Sequence, residues 1–142
     1  MEDEPKKYKT VCAIIINKKN EILLTKRARK PFKGKWAIIS GIGESIKGTS
    51  PEIGVIEEVN CDLGTKSYRG TYLFSLPVVG DKKTDEMVVF AGTINEQEVN
   101  INPEYSEGIK WVPESQRDEF KDLAFGHSQI IEKYLEGKTD KQ

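Results

Sequence analysis

Ile39-Ser-Gly-Ile-Gly-Glu-Ser-Ile-Lys-Gly48 runs directly into Thr49-Ser-Pro-Glu-Ile-Gly-Val-Ile-Glu-Glu-Val-Asn-Cys-Asp-Leu-Gly64. A glycine-rich loop here feeds a helix-forming stretch. Ser50 offers a side-chain oxygen to the free N–H groups of a first turn, Pro51 suits the first helical position, and Glu52 complements the helix dipole. Gly64 is placed to end the helix in the left-handed conformation. The pattern predicts a helix over residues 50–63.

On that helix Glu52, Ile56, Val59 and Leu63 form one line. Gly54, Glu57, Glu58, Cys61 and Asp62 form another, at spacings i, i+3, i+4, i+7 and i+8. A charged stripe by itself is a solvated surface. Two details argue otherwise. Asp62 sits near the helix C-terminus, where the dipole disfavours an anion, and Glu58 and Asp62 are like charges four residues apart. A divalent cation between them explains both. The glycines at 41, 43 and 48 let the loop backbone approach a ligand closely, so strand, loop and acidic helix together suit a diphosphate bound through metal.

The rest of the chain frames this segment. Its 142 residues are 37% hydrophobic and 32% charged, the balance of one globular domain with a highly charged surface. Lys+Arg 22 against Asp+Glu 23 leaves a net charge of −1, so no global field attracts nucleic acid or an anionic membrane. No apolar stretch reaches the length of a membrane span, and residues 1–7 lack a signal-peptide core. With only 2 cysteines, Cys12 and Cys61, a reducing cytosol is expected.

Residues 10–16 are continuously apolar and β-branched, as befits a strand buried on both faces. Residues 17–20 have turn chemistry, and 21–25 are expected to return as the hairpin partner of that strand. Residues 36–40, 66–79, 84–94 and 108–112 give four more strands, and 128–135 a second helix with Ile130, Ile131, Tyr134 and Leu135 facing inward. Residues 1–7 and 137–142 read as solvated tails around one domain, 8–136. The order implies an α/β/α sandwich with a mixed β-sheet.

The segment resembles the Nudix box, G-x5-E-x7-R-E-U-x-E-E-x-G-U, with U a bulky aliphatic residue. The match is Gly43-x5-Thr49-x7-Glu57-Glu58-Val59-Asn60-Cys61-Asp62-Leu63-Gly64-Thr65. The framing glycines, Glu58 and Val59 fit. Thr49 stands at the first box glutamate, Glu57 at the arginine, Cys61 and Asp62 at the last two glutamates, and Thr65 at the final aliphatic position. Arg27 followed by Phe32-Lys-Gly-Lys-Trp36, the strand Thr84-Asp-Glu-Met-Val-Val-Phe90, Lys110-Trp-Val-Pro113 and Leu123-Ala-Phe-Gly-His127 are similar to other stretches of the family. The resemblance spans residues 8–136.

The resemblance implies a Nudix-type hydrolase of a nucleotide-like diphosphate, using Mg²⁺ or Mn²⁺ to polarise phosphoryl oxygens and help produce a hydroxide nucleophile. Its residue-by-residue transfer makes Glu58 and Asp62 the leading metal ligands, with Glu57 beside them. Glu44 or Glu86 would complete the shell or activate water. Arg27, Gly41, Gly43 and Trp36 are the candidates for gripping phosphate or stacking on a base. Cys61 is a poor ligand for Mg²⁺, and Glu57 in place of arginine adds repulsion unless Lys35 answers it. His127 is read as a structural group at the second helix. The missing box acids leave a second reading open, a Nudix-fold module that binds a nucleotide or a partner without hydrolysing it. A third, isomerisation of a prenyl diphosphate, finds less support in so short a chain. Relatives often dimerise, so a homodimer is admissible.

Overall fold

In the computed structural model, residues 8–42, 50–78 and 84–140 are described. Among the described residues, seven strands and two α-helices follow one another: β1 (Tyr8–Ile15), β2 (Glu21–Arg27), β3 (Trp36–Ala37), β4 (Ile39–Gly41), α1 (Pro51–Leu63), β5 (Arg69–Pro77), β6 (Thr84–Thr93), β7 (Ser106–Pro113) and α2 (His127–Asp140). They form a mixed sheet of order β4-β1-β6-β5, in which β1 and β6 are parallel, and an antiparallel sheet of order β3-β2-β7.

The uninterrupted apolar run of β1 becomes a strand buried on both faces. Cys12 and Ile14 join the core under α2, while Val11, Ala13 and Ile15 join the core under α1. The first core includes Ile130, Ile131, Tyr134 and Leu135, the stripe expected on the second helix. The second includes Val55, Val59 and Leu63. Burying each such side chain is worth about 1.5–3 kcal/mol over leaving it in water, so the i, i+4, i+8 line of α1 sets its orientation. Val55 thus takes the buried position, and Ile56 only packs against its edge. Helices on both faces of the sheet layer make the α/β/α sandwich.

The caps of α1 form as its sequence demands. Ser50 is the N-cap and its Oγ accepts from the Ile53 N–H at 3.4 Å. Gly64 ends the helix at φ 68°, and its N–H donates to the Asn60 carbonyl. The carbonyls of Asp62 and Leu63 accept from the N–H groups of Asn102 (3.1 Å) and Asn100 (2.7 Å), so the loop before β7 closes the helix end.

Three expectations change. First, β2 is not the sheet partner of β1: beyond the turn at residues 17–20, a single bridge, Ile16 to Ile22, links them, and β2 pairs with β3 and β7 instead. Both edges of β1 are already occupied by β4 and β6. Second, residues 36–41 are two strands in two sheets, divided at Ile38, whose N–H donates to the Nδ1 of buried His127 at 3.2 Å. Third, α2 continues past Gly137 to Asp140, with Lys138 Nζ donating to both Glu114 carboxylate oxygens at 2.8 and 2.9 Å. No helix of the described residues is long and apolar enough to cross a membrane.

Candidate functional site

The crossing at Ile38 carries β4 from one sheet to the other and leaves Ser40, Gly41 and Ile42 beside the end of β2, where Arg27 stands. Two adjoining recesses open there, both bounded by Arg27 and residues 40–42. One, of about 360 Å³, is polar and adds Arg29, Glu58, Cys61, Asp62 and Tyr105. The other, of about 480 Å³, is mostly apolar and adds Phe32, Val78, Met87 and Phe125, with Thr10 and Thr84.

Glu58, Cys61 and Asp62 reach the polar recess because i, i+3 and i+4 share a helix face. The Glu58 carboxylate lies directly over the α-carbon of Gly41, in space that a Cβ at position 41 would fill. The Asp62 carboxyl is pushed up to about 6 by burial, against the opposing pull of Arg27 and then Arg29. The two arginines therefore answer part of the charge that an anion at the helix C-terminus leaves uncompensated, which the helix spacing alone assigns to a divalent cation.

Arg27 is fixed on three sides. Its Nε donates to the Pro31 carbonyl at 2.7 Å, its Nη2 to the Arg29 carbonyl at 3.3 Å, and its guanidinium lies 4.6 Å from the centre of the Phe125 ring. Arg29 lies over the Tyr105 ring at 4.2 Å. Behind Phe125, His127 is completely buried; desolvation and the Arg27 charge push its imidazole down to about 3, so it is neutral. A charged imidazole would repel Arg27, and a neutral one leaves its Nδ1 free to accept from Ile38.

The expected residues therefore divide. Arg27, Gly41, Glu58 and Asp62 come together. Trp36 lies apart from both recesses: on β3 it packs against the core under α2, beneath the Lys110 ammonium at 4.4 Å. Glu86 does not line either recess, although its neighbours Thr84 and Met87 do; it pairs with Lys9 at 3.4 Å. Glu57 does not line the polar recess, and Lys35, the cation expected as its partner, pairs with Asp122 at 2.8 Å. Gly43 and Glu44 lie outside the described residues. Sequence reading did not single out Tyr105 or Phe125 as cleft residues. Tyr105 arrives through the loop that caps α1, and nothing in the spacing of Leu123-Ala-Phe-Gly-His127 marks Phe125 as facing a cleft.

The family model of the NUDIX domain matches residues 6–134. The chain belongs to the Nudix family. Solved structures similar to this Nudix chain include the Nudix domain of Shewanella oneidensis NrtR complexed with ADP ribose, at 22% identity and TM-score 0.73, covering 93% of this chain and 88% of that one. The MutT protein of Methanosarcina mazei Go1 gives a TM-score of 0.77 at 21% identity, covering 96% and 99% of the two chains. A Nudix hydrolase of Nitrosomonas europaea gives 0.76 at 20% identity, covering 97% and 75%. Identities this low carry the Nudix fold and leave the chemistry to the site. No curated protein matches the sequence.

Proposed function

We propose that this Nudix chain is a divergent hydrolase of a nucleotide-like diphosphate, acting with Mg²⁺ or Mn²⁺. The supporting observation is the gathering of Glu58, Asp62, Arg27 and Arg29 around one recess that adjoins an apolar one. A diphosphate needs compact positive charge, which the two guanidiniums supply. The organic substituent needs an apolar wall, which Phe32, Met87 and Phe125 supply.

The donor set of the described residues fits a hard divalent cation in company with the substrate. Among the described residues no group of three acidic, histidine or cysteine side chains stands in metal-binding geometry. Mg²⁺ is often held by one or two carboxylates plus phosphate oxygens and water, and Glu58 with Asp62 meets that need. When bound, the metal would polarise the phosphoryl oxygens and lower the pKa of water. Glu58 and Asp62 then orient the cation, Arg27 and Arg29 neutralise the phosphates, and Gly41 leaves room for the Glu58 carboxylate. Cys61 in the box contributes no hard ligand.

Screening nucleoside triphosphates, ADP-ribose and dinucleotides with Mn²⁺ tests this reading. Glu58→Gln is expected to cut turnover by a hundredfold or more, and equal turnover in the variant would remove Glu58 from the mechanism. A second reading, a binding module without hydrolysis, is favoured by Thr49 and Cys61 standing at two glutamate positions of the box. It predicts thermal stabilisation by nucleotide without turnover and without dependence on metal.

A further inference from the structure

Phe32 and Phe125 share an unusual backbone state. Both lie in the left-handed region, at φ 63° and 59°, which a bulky side chain seldom adopts. They also meet: their rings are 4.9 Å apart, edge to face. Phe32 is 46% exposed, so burial alone does not account for its placement. Strain of this kind persists where the surroundings hold it and tends to gather at functional sites. The Phe125 ring of this pair touches Arg27, whose guanidinium lies 4.6 Å from the ring centre while two backbone carbonyls hold its Nε and Nη2.

We propose that Phe125, braced by Phe32, is a positioning residue that fixes the Arg27 guanidinium at the junction of the polar and apolar recesses. Arg27 is one of the residues bounding both. An arginine side chain free to sample its rotamers loses much of its attraction for an anion to ordering entropy. One already seated on an aromatic face and two carbonyls loses little. The assignment of the diphosphate to Arg27 rests on the hydrolase reading above; the ordering of Arg27 by Phe125 does not.

The test separates the two. In Phe125→Asn the new residue tolerates the left-handed backbone and removes the ring, so the fold is expected to survive. In Phe125→Tyr the aromatic face is kept. The primary readout is the ¹⁵N resonance and solvent exchange of the Arg27 Nε–H in the protein without ligand. The Asn variant should shift that resonance and speed its exchange severalfold, while the Tyr variant keeps the parent behaviour. The second readout is inorganic pyrophosphate binding with Mn²⁺, expected to weaken about fivefold in the Asn variant and to return in the Tyr variant. An unchanged Arg27 Nε–H in a folded Asn variant overturns the proposal. A shifted Nε–H in a protein that binds no pyrophosphate supports the positioning role and counts against the hydrolase reading alone.

Discussion

The carboxylate of Glu58 occupies the space that a side chain at Gly41 would need. The glycine is therefore a seat for an acid from α1, a different demand from the approach of phosphate to bare backbone.

Gly41→Ala tests that relationship. The obstructing atoms are the far end of a flexible side chain, so Glu58 can swing aside and the fold loses little. The carboxylate no longer sits in the recess. We expect the melting temperature to drop by no more than about 4 °C, while Mn²⁺ affinity in the presence of nucleotide and turnover fall about tenfold or more. A loss of stability with unchanged metal affinity would show that the seat serves packing only.

Asp62 gives a pH-dependent stability of definite sign. Its folded pKa of about 6 lies above the ordinary value of 3.8 because burial penalises the anion. Below the unfolded pKa both states are protonated and nothing is lost. As pH rises through the window between these values, the unfolded chain releases its proton first, and folding loses on the order of 2–3 kcal/mol. Asp62→Asn should therefore gain stability over the parent at pH 7 and match it near pH 3.5. Metal binding should grow in the parent as pH rises through about 6 and vanish in the variant. Denaturant melts across this range check the first statement and Mn²⁺ titration in the presence of nucleotide the second.

His127 has the opposite sign. Its imidazole is pushed from 6.5 down to about 3, so its stabilisation is full above the unfolded pKa and is lost as pH falls between those values. His127→Ala also strands the Ile38 N–H and leaves a cavity, costing about 3 kcal/mol or more. His127→Asn, which keeps an acceptor and cannot charge, should lose less and should flatten the acid side of the stability curve. Equal acid sensitivity in parent and Asn variant would exclude His127 as its source.

Gly64→Ala probes the helix end. At φ 68° an L side chain is strained, and its Cβ would stand 2.7 Å from the Asn100 carbonyl oxygen. Backbone of the loop that caps α1 must then move. A loss of about 1–3 kcal/mol is expected, read as a drop in melting temperature.

The sequence by itself determined the local matters, because local physics decides them. Ser50, Pro51 and Gly64 bounded α1 through their own backbone chemistry, and the apolar run of β1 declared a strand covered on both sides. The spacing of Glu58 and Asp62 put two carboxylates on one helix face. Tertiary structure decided what those features meet. Nothing in Trp36-Ala-Ile-Ile-Ser40 announces that the chain changes sheets at Ile38, since the break depends on an acceptor 89 residues away at His127. Glu86 and Trp36 had suitable chemistry, but strand register gave Glu86 to Lys9, and the core claimed Trp36. Arg29, Tyr105 and Phe125 reach the cleft from three separate connections, brought there by the closing of α1 and the left-handed turn before α2. Residue type and spacing narrow the faces a side chain can take, and only the packed fold settles which face is buried and what stands opposite it.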